Sequence, residues 1–184
     1  THDEVIEREL LFEVGDAWDP ALVAETARNL RSNLFVSIAR VEPCKGTRPD
    51  SVIALVLTKD MWSFRPAVKF TLVGSTLQNF EIFLAEYNVA GRMKTFGLDA
   101  GLDLSTFWFG QQLRDPRIGG TRISFKERAD LIWNKTTGLP EGGIVNLELE
   151  RPLFRIAEQW GWKQLLDYRR DIFRLYQGST LVTV

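Results

Sequence analysis

Ten residues, Phe96 to Ser105, constrain this chain more than any other stretch. Phe96, Leu98, Ala100, Leu102 and Leu104 alternate without a break with Gly97, Asp99, Gly101, Asp103 and Ser105. Successive side chains of a β-strand leave opposite faces, so this run has one wholly apolar face. The other face is small and acidic, as a water-filled barrel interior allows. A run of this length exceeds the usual ~5–6 residues of a soluble strand and matches the ~9–11 residues of a tilted membrane strand.

Other segments repeat the pattern. Val68, Phe70 and Leu72 alternate with Lys69 and Thr71, and Phe80, Ile82 and Leu84 form a similar set. Ile123, Phe125, Ala129, Leu131 and Trp133 alternate with Arg122, Ser124, Lys126, Arg128 and Asp130, with Glu127 and Ile132 out of phase. Val145, Leu147 and Leu149 alternate with Asn146, Glu148 and Glu150. Turn residues separate these runs at Gly74-Ser75, Asn88 to Gly91, Asp115-Pro116, Gly119-Gly120 and Thr137 to Gly143. Together they predict roughly seven or eight strands between Arg65 and Val184. Trp62, Trp108, Trp133, Trp160 and Trp162 fall near strand ends, where an aromatic girdle would lie, although ordinary core tryptophans would look the same.

Alternation alone does not separate a soluble barrel, apolar inside, from a membrane barrel, apolar outside. No stretch approaches the ~20 apolar residues of a spanning helix, which leaves spanning strands open. A net charge of −1 gives no sign of a nucleic-acid partner. One cysteine, Cys44, excludes an internal disulfide, and one histidine, His2, leaves no basis for a His-built metal site or triad.

The first sixty residues read differently. Thr1 and Glu4 have capping-box spacing, and Ile6, Leu10 and Val14 recur at four-residue steps, predicting a helix that stops at Gly15-Asp16. Asp19-Pro20 opens a second helix, with Val23, Ala27, Leu30 and Leu34 on its apolar face and Glu25, Arg28 and Arg31 turned outward. Strands are predicted at Phe35 to Val41 and Ser51 to Thr58, joined by a Pro- and Gly-containing loop over 42–50.

Several turns carry motifs. Asn88-Val89-Ala90-Gly91-Arg92 resembles the Asn-x-x-Gly-Arg turn near the start of barrels of the bacterial BamA/TamA outer-membrane assembly family. Asp115-Pro116-Arg117, followed by Gly120-Thr121-Arg122, is similar to the family's turn two strands later, and Arg151-Pro152 to its segment after the next hairpin. The motifs fall at alternate turns, which puts all three on one side, and the resemblance implies that this side is the periplasmic one. The opening residues, from Asp3 to Leu10 and then Gly15-Asp16, resemble a polypeptide-transport-associated (POTRA) domain whose first strand is missing.

The resemblance implies an α+β POTRA-like domain over 1–60, then antiparallel transmembrane strands over 61–184, roughly the N-terminal half of a sixteen-strand barrel. It implies an outer-membrane assembly factor, with the POTRA-like part in the periplasm, that helps fold and insert other barrels. Its partners would be client outer-membrane proteins, the lipid bilayer, and accessory lipoproteins or other subunits, with no nucleic acid and no cofactor. A client strand would pair along Val68, Lys69, Phe70, Thr71, Leu72 and Val73 of the first barrel strand, where Pro66 and Gly74 would limit pairing. Phe35, Val36, Ser37, Ile38 and Ala39 would form a second edge, on the POTRA sheet.

Two other functions compete. A secretion pore of the same superfamily would pass polypeptide along a polar lumen with Asp99, Asp103, Arg128 and Asp130. A soluble barrel would bind an apolar ligand against Phe96, Leu98 and Leu102. An enzyme is not expected: Asp99 and Asp103 lie ~13 Å apart along a strand, too far for most carboxylate pairs, and no phosphate loop or nucleophile set is present.

Overall fold

The computed structural model describes residues 1–172, 174–177 and 180–183. Two helices open the chain, α1 (Asp3–Glu7) and α2 (Pro20–Arg31), followed by a hairpin of β1 (Val36–Lys45) and β2 (Val52–Asp60). Seven strands then pair antiparallel in chain order: β3 (Phe64–Val73), β4 (Thr76–Val89), β5 (Lys94–Asp103), β6 (Thr106–Asp115), β7 (Ser124–Asn134), β8 (Pro140–Arg151) and β9 (Trp162–Arg170). A separate hairpin of β10 (Leu175–Gln177) and β11 (Thr180–Thr183) follows.

α2 forms where its signals lie. The Asp19 carboxylate accepts hydrogen bonds from the Ala21 and Leu22 amides, at 2.8 and 3.4 Å, and Pro20 needs no amide partner at the first position. Ala27 and Leu30 are buried as the periodicity predicts, whereas Leu34 is exposed. Glu25 departs from its predicted outward position and is buried, for a reason given below.

α1 is shorter than predicted. The Thr1 side chain caps nothing in it; its hydroxyl donates instead to Asp60 at 2.7 Å. Beyond Glu7 the chain turns away, and the Leu11 amide is taken by the Thr26 hydroxyl at 3.2 Å. Leu11 is thereby buried, while Val14 projects fully exposed.

The expected α+β POTRA-like domain is not there. β1 and β2 make a sheet of two strands only, and the apolar core beneath them is not their own. Val5, Ile6, Leu30, Phe35, Val36 and Ala39 close around Met93, which follows β4, with Val56 and Tyr87 at the margin. Two short helices and a hairpin bury too little apolar surface alone, so the leading segment completes its core on the large sheet. The sheet, for its part, is an open antiparallel sheet and not half of a closed barrel.

The pairing registers give the sheet two distinct faces. Lys69, Glu81, Asp99, Gln112, Arg128, Asn146 and Asp167 belong to rows of directly paired or neighbouring residues on one face. Val68, Ile82, Leu98, Phe109, Leu131 and Tyr168 lie on the other. The polar face is concave and encloses a cavity of about 700 Å³. Close packing there depends on glycines: a Cβ on Gly101 would fall 2.2 Å from the Trp108 ring, and one on Gly110 would fall 2.1 Å from Asp130.

Candidate functional site

Three features of the large sheet bear on function, and the first is its outer face. Phe96, Leu98 and Leu102 belong to this convex surface and do not line the cavity. Val68, Phe70, Phe109 and Leu131 are 60, 61, 52 and 58% exposed. At ~4.8 Å per strand and ~3.3 Å per residue, seven strands of this length form an apolar surface roughly 30 Å on each side. Soluble monomers seldom expose contiguous apolar patches beyond about a few hundred Å².

Aromatic residues mark both ends of this surface. Phe107 and Trp133 stack at 5.4 Å with planes 6° apart beside the turn over 135–139. Trp62, just before β3, and Trp160 and Trp162, at the start of β9, lie at the opposite end. Trp108 departs from the predicted girdle, because its place in the register turns it onto the concave face over Gly101.

The second feature is the end of the sheet that carries the three turn motifs. The structure brings all of them to that one end, where the first two bind the leading segment directly and the third opens a connection that does. At the β4–β5 turn the Gly91 carbonyl accepts from the His2 amide at 3.0 Å, and Asn88 donates to the Thr1 hydroxyl at 3.1 Å. Gly91 is left-handed, with φ of 67°, and a Cβ there would press on the His2 ring at 3.2 Å. Arg92 is exposed on the same turn.

At the β6–β7 turn, Asp115 accepts from the Arg117 amide at 2.9 Å, and Pro116 leads into the bend. This aims the Arg117 guanidinium at Glu9, which it meets through two hydrogen bonds of 2.6 and 2.5 Å, both side chains being 15% exposed. Gly120, with φ of 79°, completes the turn. Arg122 donates to the Leu10 carbonyl at 3.1 Å and lies 4.1 Å above the Phe154 ring. Burial, and then the nearby Arg117 charge, hold the Arg122 guanidinium below its ordinary value.

The β8–β9 connection holds α2. Phe154 accepts through its carbonyl from Asn29 at 3.1 Å, and the Ile156 amide donates to Glu25 at 2.7 Å. That bond is why Glu25 is buried on a face that periodicity alone assigns to solvent. Arg151 stacks on Phe154 and pairs with Glu158 at 3.2 Å, while Pro152 begins the loop. Glu25 and Glu9 are partners that sequence reasoning missed. Their only sequence signal is an acidic residue on each helical stretch and basic or irregular turns far along the chain.

The third feature is the first strand, β3. Val68, Lys69, Phe70, Thr71, Leu72 and Val73 form its distal half, with every residue exposed and, among the described residues, no strand paired on the side away from β4. The second predicted edge differs. Phe35, Val36 and Ala39 are core residues, only Ser37 and Ile38 are exposed, and Arg31 already caps the Ala39 carbonyl at 2.7 Å.

The concave charges are tied to each other. Arg128 pairs with Asp130 at 2.7 Å and reaches Asp99 at 3.7 Å, and Glu148 joins Lys126 and Lys163 at 2.6 and 2.7 Å. Asp103 does not point along the cavity wall alone; it caps the β5–β6 turn, accepting from the amides of Ser105 and Thr106 at 2.7 Å each. Among the described residues no group of three or more metal-ligating side chains occurs.

An antiparallel sheet with a polar concave face and an apolar convex one defines the wall of a β-barrel turned outward. No protein-family model and no curated protein matches the chain. Solved structures do match, among them the crystal structure of BamA from Haemophilus ducreyi lacking POTRA domains 1–3. That chain is 13% identical, with a TM-score of 0.61 over 82% of this chain and 29% of its own length. The likeness establishes a BamA-like barrel fold for the sheet, and the chain spans less than a third of that neighbour.

Proposed function

We propose that this chain is part of a bacterial outer-membrane protein assembly factor that helps fold and insert other β-barrels. The observation that carries the reading is the exposed apolar convex face, continuous across seven strands and flanked by aromatics, on a BamA-like sheet. Such a face is stable against lipid and costly against water. No helix among the described residues is long and apolar enough to cross a membrane, which says nothing of strands.

In this reading β3 to β9 span the outer membrane, and the end bearing α1, α2 and the three motif turns faces the periplasm. A client strand adds to the open side of β3, where backbone hydrogen bonds supply attraction without regard to most of the client sequence. The partners are unfolded outer-membrane proteins, the bilayer, and accessory lipoproteins or other subunits. The role is one of binding and positioning and not of covalent catalysis, with no cofactor.

The test is reconstitution of the full-length protein in vesicles of outer-membrane lipids. An unfolded client barrel is added, and its heat-modifiable folded form is followed on cold gels. The expected result is folding several-fold faster than in empty vesicles. Equal rates in both would end the proposal.

A further inference from the structure

The turn end of the sheet gathers more positive charge than its own carboxylates neutralise, and it does so around one phenyl ring. The guanidinium carbons of Arg122, Arg151 and Arg155 lie 4.1, 5.3 and 5.7 Å from the centre of Phe154. A phenyl face attracts a cation weakly, and three cations on one ring repel each other. Glu158 takes Arg151, and Glu9 takes the neighbouring Arg117. Glu25, which α2 brings to the same loop, is held by Arg28 and the Ile156 amide. Arg155 has no ion pair and no side-chain hydrogen bond among the described residues.

The cluster is short of acceptors as well as of negative charge. Arg122 Nη1 and Arg155 Nε are covered from solvent and have no acceptor, a costly state for a buried donor. Burial, then the Arg117 charge and more weakly that of Arg155, act against the Arg122 cation, and Glu9 and Glu158 do not make up the difference.

The same connection exposes Leu153, Ile156 and Trp160. Arg151, the last residue of β8, pairs with Trp162, the first of β9. These two continue the parity of Leu147 and Tyr168 and so lie on the convex side, with Arg151 stacked 5.4 Å over Trp160. The apolar patch is therefore continuous with the convex face, at the level where the strands end. In a membrane that is the headgroup level, which tryptophan favours. The planar fork of arginine matches phosphate oxygens, and a basic pocket at this depth suits a lipid headgroup.

Resting on the membrane reading, we propose that Arg122, Arg151 and Arg155 bind the phosphate of one anionic glycerophospholipid of the periplasmic leaflet, with Leu153, Ile156 and Trp160 against its acyl chains. The phosphate oxygens supply the missing acceptors, and the net negative headgroup offsets the surplus charge. A zwitterionic lipid offers the same phosphate without net charge and is the weaker ligand. Inorganic phosphate offers the charge but leaves the apolar side chains in water. Phe154 and Ile156 also hold Asn29 and Glu25 of α2, so the bound lipid ties the leading segment to the membrane surface.

The test is native mass spectrometry of the full-length protein released from micelles with equal amounts of phosphatidylglycerol and phosphatidylcholine. Phosphatidylglycerol is expected to be retained several-fold over phosphatidylcholine. Arg155→Gln removes no hydrogen bond of the fold and is expected to lower that retention several-fold, whereas Arg155→Lys keeps most of it. Ile156→Ser lowers it with every charge in place. Arg92→Gln, on the β4–β5 turn outside the cluster, leaves it unchanged.

Equal retention of the two lipids, or undiminished phosphatidylglycerol in Arg155→Gln, would overturn the site. Displacement of the lipid by equimolar inorganic phosphate, with Ile156→Ser without effect, would overturn the lipid as ligand and put a free anion in its place. Any of these results in protein that still accelerates client folding in vesicles ends the lipid site alone and leaves the assembly reading standing.

Discussion

At the residue scale the glycines on the concave face and the ion pair at the turn end make the sharpest claims. Gly101→Ala places a methyl against the Trp108 ring and 2.8 Å from the Phe80 carbonyl, and the backbone atom has nowhere to go. A loss of about 1–3 kcal/mol is expected from such overpacking, measured as a shift in the urea midpoint of folding in vesicles. Glu9→Gln removes the charge opposite Arg117 while keeping an acceptor. Both partners are largely covered, so about 1–3 kcal/mol of local stability is lost, read as faster proteolysis of residues 1–31 with the sheet unaffected. The motif residues Asp115, Pro116 and Arg117 were legible as a turn, because proline and aspartate announce one. Their target was not, because 108 residues separate Glu9 from Arg117 and no local period links them.

At the element scale, strands were more legible than helices. A period of two survives short segments, and β5 (Lys94–Asp103) overlaps the predicted run of Phe96 to Ser105 with an offset of two residues at each end. β1 extends through Glu42, Pro43, Cys44 and Lys45, where composition argued for a loop. Pro43 is tolerated because its partner position is non-bonded, as the Gly46–Ser51 hydrogen bond at 3.1 Å fixes the parity. α1 is shorter than predicted because tertiary contacts with Thr26 and Asp60 override a capping box that local sequence favours. α2 succeeded because its cap is local. Asp19→Ala should therefore cost about 1 kcal/mol, seen as a lower melting temperature of the helical circular dichroism signal.

At the scale of the molecule, the alternation of the strands did not settle whether the apolar side chains face inward or outward, and the structure puts them on the convex face. A charge placed on the convex face is the direct check. Leu131→Lys puts an ammonium in the middle of the apolar surface, and about 2–4 kcal/mol of folding stability in bilayers should be lost if lipid covers that face. An effect below about 0.5 kcal/mol in a bilayer folding titration would mean that water covers it instead. The α+β leading domain was misread for a reason also visible at this scale. Helix and strand order matched a small domain, but order says nothing of where an apolar core is completed.

That core, closed by Met93 and Tyr87, sets a sequence in time. Residues 1–60 leave the ribosome before the large sheet does, yet they cannot finish folding until the β4–β5 turn is laid against them. Until then the leading segment is only half-formed, and its consolidation reports that the first hairpins are in place. Resistance of its peptide bonds to protease should thus rise together with strand insertion, on a single clock, and not ahead of it.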